Sequence, residues 1–159
     1  MILICPVLCG GCATSSLTQD ADRIVIVKSA HTMTLMKNGE ALKAYPVALG
    51  KGDAAPKERR GDQRTPEGEY VVDEKKDVTC CFLALHISYP NLKDQEHARM
   101  LGVDPGDAIE IHGLPRRRTW LGRFHRIVDW TSGCIAVTNS EMAEIFLFVP
   151  LGTPVEIRQ

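Results

Sequence analysis

Two short stretches of the chain hold residue types that could do covalent chemistry together. Cys134 stands in Asp129-Trp130-Thr131-Ser132-Gly133-Cys134-Ile135-Ala136-Val137, and His112-Gly113 follows the apolar run 108–111 upstream. A cysteine thiol is a weak nucleophile until it loses its proton, and at its ordinary pKa of about 8.5 little is ionised near neutrality. An adjacent imidazole corrects this by accepting the proton, provided its other nitrogen is held by a third group. Most cysteines in apolar strands are simply small buried side chains. The neighbours here argue for more. Gly133 permits close approach of backbone to a substrate, and the N–H groups of Ser132 and Gly133 lie where a tetrahedral oxyanion would need donors. Gly113 likewise frees the chain to present its carbonyl. Among the other histidines, only His125 rivals His112 as the base; His31 and His86 lie in or beside strands, and His97 sits on a predicted helix.

These residues must be positioned by short strands. The β-branched run 24–27 reads as a buried strand, and Asn38-Gly39 between the apolar runs 33–36 and 42–49 is a hairpin signal. A long polar loop, 50–68, follows; loops of that length tend to be functional or mobile. Strands are expected at 70–72, 80–88, 108–111, 133–137 and 154–157, and 114–131 reads as irregular. Asp94 is the expected cap of a helix ending at Leu101-Gly102, and Asn139 or Ser140 of a second. Met142, Ile145, Phe146 and Val149 give the second helix an apolar stripe, which is core. Many short strands with one or two short helices indicate a mainly-β domain over 23–159, preceded by a leader and linker over 1–22.

Composition narrows the function. The chain has 159 residues and a net charge of −1, so a nucleic-acid partner held through phosphates is not expected. The local exception is Arg116, Arg117, Arg118, Arg123 and Arg126, either a solvated loop or a substrate-binding element. The six cysteines do not form a disulfide or metal pattern. Cys80 and Cys81, neighbours on a predicted strand, should face opposite sides and serve packing. The leader is apolar and reads as part of an export signal. Leu8-Cys9-Gly10-Gly11-Cys12 loosely resembles a lipoprotein cleavage site, which would attach the chain to the cell envelope through an acylated Cys12; a disordered tail or a misassigned start is the alternative.

His112-Gly113 and Thr131-Ser132-Gly133-Cys134, in that order, resemble the L,D-transpeptidase catalytic domain (the YkuD-like fold), in the branch of murein transpeptidases and amidases with Asp-Trp-Thr-x-Gly-Cys-Ile-Ala. The stretch from Gly61-Asp62 through Thr65-Pro66 to Gly68 and Tyr70, and Ile87-Ser88-Tyr89-Pro90-Asn91, extend the resemblance. It implies a YkuD-like β-sandwich in the periplasm or cell envelope, acting on peptidoglycan stem peptides without a cofactor or metal. Cys134 would attack at the L-centre of the third residue and expel D-alanine. His112 would serve as base and then acid, held by the carbonyl of Gly113. Asp129 and Trp130 would shape the pocket, or be a loop-stabilising salt bridge and a packed aromatic. Many members carry Arg or Asn where this chain has Ala136, so anchoring of substrate by that side chain is not expected. Transfer to an amine gives a transpeptidase; transfer to water gives a hydrolase of wall peptides. A wall-binding module with an unreactive Cys134, and a thiol-redox protein using Cys80 and Cys81, are the readings from other classes.

Overall fold

The computed structural model describes residues 17–159; the leader cysteines and the cleavage-site resemblance lie outside the described residues. Strands β1 (Arg23–Val27), β2 (Thr32–Lys37) and β3 (Glu40–Pro46) form an antiparallel meander. Asn38 and Gly39 turn the β2–β3 hairpin with φ of 51° and 82°, the left-handed pair that Asn-Gly adopts at low cost. Strand β4 (Gly68–Thr79) is the long element that joins two halves. Its first residues pair with the last strand, β8 (Pro154–Arg158), and its remainder pairs with β5 (Phe82–Ile87). Beyond β5 come β6 (Glu110–His112) and β7 (Ile135–Ala136), giving the order β3-β2-β1-β8-β4-β5-β6-β7. One core is shared by both halves, with Ile24, Ile26 and Leu35 from one side and Leu85, Ile87, Ile111 and Ile135 from the other. The mainly-β expectation holds.

Three helical segments accompany the sheet. Helix α1 (Leu92–Leu101) is capped by Asn91; Asp94, expected as the cap, is instead the third helical residue and completes the reciprocal box. Helix α2 (Asn139–Phe148) is likewise capped by Thr138 with Glu141, one residue before the expected position. Each cap satisfies N–H groups that the helix itself cannot, worth about 1 kcal/mol. The third segment, Arg116–Ile127, is wound in 3₁₀ turns with a kink at Gly122 where an irregular loop was expected. Its sequence has no 3.6-residue stripe to reveal it. Cys80 and Cys81 are corrected more substantially. They sit at the tip of the β4–β5 hairpin, not on a strand, and their sulfurs lie side by side 3.1 Å apart.

The polar loop 50–68 is clamped, and Asp62 is its centre. The carboxylate accepts from Lys57 Nζ (2.7 Å) and from the backbone N–H groups of Glu58, Arg59 and Arg64 (2.8, 3.0 and 3.2 Å). Burial alone would raise its pKa, but Lys57 and these N–H groups outweigh burial and lower it to about 2. Because the folded value lies below the ordinary 3.8, the stabilisation is complete above pH 4 and is lost as pH falls toward 2. Asp62→Asn leaves the Lys57 ammonium, 4% exposed, without its counter-charge. Thermal unfolding at pH 7 should show a loss of about 3 kcal/mol, shrinking as the pH is lowered to 2. A loss independent of pH would assign Asp62 a packing role only.

Candidate active site

His112 ends β6, and Cys134 stands one residue before β7. The two strands run parallel, with Ile111 opposite Ile135 and His112 opposite Ala136. Side chains alternate along a strand, and Ile111 and Ile135 both point into the core. Cys134 and His112 therefore share the other face, one diagonal apart, about 8 Å between Cα atoms from sheet spacings. Glu110, one residue before this register on β6, lies close enough to Cys134 for its backbone and its carboxylate both to act on the thiol. Sequence reasoning did not select Glu110, because it carries no motif; only the folded structure reveals it. Lys76 holds its carboxylate at 2.8 Å.

The imidazole of His112 is buried, and its Nδ1–H donates to the carbonyl of its neighbour Gly113 at 2.6 Å. That bond leaves the Nε2 lone pair as the accepting nitrogen. Gly113 is required by crowding. A Cβ there would meet Asn139 Oδ1 at 2.6 Å and the Cys81 carbonyl at 3.0 Å. Asn139, expected as a helix cap, instead accepts from the N–H of Leu114 at 2.6 Å and braces this turn. A cleft of about 420 Å³ opens beside it, between Phe82, Leu114, Thr119 and Asn139.

The cysteine loop is built on Thr131. Its buried hydroxyl donates to the Cys134 carbonyl at 2.7 Å and accepts from the Gly133 N–H at 3.1 Å. The Gly133 N–H is thus used within the loop, which corrects its expected place among the oxyanion donors. Ser132 is exposed at the turn. Gly133 has φ of +130°, and a Cβ there would lie 2.7 Å from the Arg64 carbonyl. Gly50 stacks on the same point, where a Cβ would sit 3.0 Å from Gly133 Cα, and its N–H donates to Thr65 Oγ1 at 2.9 Å. The 50–68 loop is therefore the floor beneath the cysteine. Gly133→Ala should cost about 3 kcal/mol from backbone strain and this clash. A melting curve that matches the parent would show that the floor yields.

Asp129 turns away from the thiol. One carboxylate oxygen accepts from the Leu49 N–H at 2.7 Å and the other lies 2.9 Å from His31 Nε2. It ties the cysteine loop to the segment that follows β3, the loop-stabilising alternative. Trp130 does reach the site. Its ring meets His112 edge-to-face at 5.9 Å, and the Arg118 guanidinium lies over it at 4.5 Å. The indole N–H donates to His125 Nδ1 at 3.4 Å. His125 is thus buried behind Trp130, and its pKa falls to about 4 through burial and the neighbouring Arg126.

Burial disfavours the charged form of both Cys134 and His112. Burial pushes the Cys134 thiol up to about 11; the Glu110 backbone offsets this in part, and the Glu110 carboxylate adds to it. Burial holds His112 below the ordinary imidazole value, against its bond to Gly113 and the attraction of Glu110. The sulfur lies 3.6 Å from the Ala108 carbonyl, to which the thiol donates. Among the described residues no cluster of His, Cys, Asp and Glu is arranged to hold a metal ion.

Known proteins resemble this chain in sequence and in fold. YafK of Escherichia coli (strain K12), which carries an L,D-transpeptidase name, is 34% identical over 133 residues, covering 79% of this chain and 46% of YafK. YqjB of Bacillus subtilis (strain 168) is 27% identical over 138 residues, covering 84% of this chain and 69% of YqjB. The chain thus spans about half the length of YafK. The fold matches that of the helical cell shape determining protein Pgp2 from Campylobacter jejuni at a TM-score of 0.65 and 20% identity, over 89% of this chain and 48% of that one. It also matches an L,D-transpeptidase from Mycobacterium smegmatis at 0.57 and 18%, over 86% and 58%. The family model for the L,D-transpeptidase catalytic domain, YkuD, matches residues 21–157, and this chain belongs to that family.

Proposed function

We propose that the chain is a cysteine-dependent L,D-transpeptidase acting on peptidoglycan stem peptides in the periplasm or cell envelope. The observation that carries this is the placement of Cys134 and His112 on one face of adjacent strands, with Nδ1 of His112 pinned to Gly113 so that Nε2 is free to accept a proton. At rest the thiol donates to the Ala108 carbonyl, so proton transfer requires it to leave that bond and turn toward Nε2. Such catalytic bonds commonly tighten only when substrate is bound.

The thiol attacks the carbonyl at the L-centre of the third stem residue while His112 Nε2 takes its proton. The oxyanion is met by the N–H groups of Cys134 and Ser132, since that of Gly133 is occupied. The imidazolium then protonates the departing amine of D-alanine, leaving a thioester. An incoming amine gives up its proton to His112 and forms the new amide, and the sulfur leaves as the restored thiol. Glu110 works in two directions. Facing Cys134, it disfavours a thiolate before substrate arrives; near His112, it favours the imidazolium once the proton has moved. The site holds its charge separation for the moment of attack.

Purified protein incubated with tetrapeptide muropeptides should release D-alanine and form a cross-linked dimer, both read by mass spectrometry. D-alanine release without any new amide would assign the hydrolase activity in place of the transferase. Neither product, with no carbapenem adduct at Cys134, would leave only a wall-binding module. The solved relative LdtMt1 is described in complex with imipenem, which makes a carbapenem the natural probe.

A further inference from the structure

The 3₁₀ segment Arg116–Ile127 and the residue after it carry a surface that the proposed reaction does not use. The stretch 116–128 contains Arg116, Arg117, Arg118, Arg123 and Arg126 and no acidic residue. Arg126 is neutralised by Glu141, and Arg118 is stacked on Trp130. Arg116, Arg117 and Arg123 are exposed and make no ion pair among the described residues. Between them protrude Trp120, Phe124, Ile127 and Val128, exposed at 81, 62, 77 and 67%. The Arg123 guanidinium lies 5.7 Å over the Phe124 ring. Large apolar side chains standing this far into water, among cations with no counter-charge, are costly unless something covers them.

We propose that this segment is a docking surface for an anionic phospholipid bilayer. The charge is complementary, and the mixture is that of an interfacial anchor, in which aromatic and aliphatic groups enter the headgroup region while guanidinium groups meet lipid phosphates. The aliphatic members decide between a bilayer and the wall polymer. Ile127 and Val128 have nothing to offer a hydrated glycan, which is gripped by flat aromatic faces and hydrogen bonds, but they partition into an acyl boundary. No described helix is long and apolar enough to cross a membrane, so the contact is lateral. The segment is fixed to the body by Arg126 to Glu141 and by buried His125 under Trp130.

Co-sedimentation of the whole chain with vesicles of phosphatidylcholine containing 30% phosphatidylglycerol tests this directly. Binding should be strong on these vesicles and weak on pure phosphatidylcholine, and should fall steeply between 50 and 500 mM salt. Arg116→Gln, Arg117→Gln and Arg123→Gln together should weaken it about 100-fold, near fivefold per cation. Trp120→Ser with Phe124→Ser should weaken it by about tenfold or more. None of these residues touches Cys134 or His112, and circular dichroism should show the fold intact. The parent's tryptophan emission should shift blue on binding, and the shift should vanish in Trp120→Phe. Equal binding to neutral vesicles, or retention by both variant sets, overturns the proposal. So does capture by isolated wall sacculi, without vesicle binding, that is lost in the same variants. Because no arm measures turnover, failure here leaves the proposed reaction standing, and failure of the reaction leaves this surface untouched.

Discussion

Replacing Cys134 by alanine is expected to reduce D-alanine release from tetrapeptide muropeptides by about 10,000-fold or more, the scale on which loss of a covalent nucleophile acts. The carbapenem adduct seen by intact-protein mass spectrometry should vanish with it. The other five cysteines remain in this variant, including Cys80 and Cys81, so an adduct that persisted would place the reactive sulfur elsewhere. Stability should change little, because the thiol's hydrogen bond to the Ala108 carbonyl is long, at 3.6 Å, and alanine leaves only a small void. Folding and chemistry are therefore separable at this position. A variant that melts early would confound loss of activity with loss of structure, and Cys134→Ser, which keeps the volume, resolves that case. A variant that keeps turnover would remove Cys134 from the reaction altogether.

His112→Gln should lower turnover by about 1,000-fold, within the usual range for a general base, while scarcely altering alkylation of the resting thiol. The two readouts part because of the charges. With Cys134 held near 11 and His112 held below its ordinary value, the resting pair is thiol and neutral imidazole, not thiolate and imidazolium. Alkylation by iodoacetamide follows the small thiolate population, so its rate should rise about tenfold per pH unit from pH 7 to 9 in both proteins. Turnover in the parent should be limited on the acid side by protonation of His112. Burial lowers that pKa, so the half-point should lie below 6.5 and activity should persist into mild acid. A thiolate already complete at pH 7 would mean a preformed ion pair and would overturn this account of the base.

Most strands were legible as short apolar, β-branched runs, and the hairpin because Asn38-Gly39 is one of few pairs that accept two left-handed residues. The charged second half of β4, beyond the expected 70–72, was not legible, because it carries no such run. Helix ends were legible to within three residues, since several polar side chains near each start could serve as the cap and only the backbone selects one. Asn91 and Thr138 were chosen because Asp94 and Glu141 reach back to them. The segment 116–127 had no such signal. Its turns are held by local carbonyl bonds such as Arg118 N–H to Pro115 and by Arg126 to Glu141, which composition does not foretell.

The chemistry divides in the same way. Which atoms could react was written in the local sequence, because a thiol beside glycine and an imidazole beside glycine are properties of short stretches. Where those stretches meet depends on pairing between β6 and β7 across a long intervening loop, and no local pattern contains a register. The same fold brings Glu110 beside Cys134, and the packing of the 50–68 loop against Gly50 and Gly133 makes Gln63, Arg64 and Thr65 a floor. The charge state of the pair follows from burial, a property of the whole assembled core. Local residues determine which bonds can form or break, whereas the order in which protons move is decided by what the folded chain excludes from water.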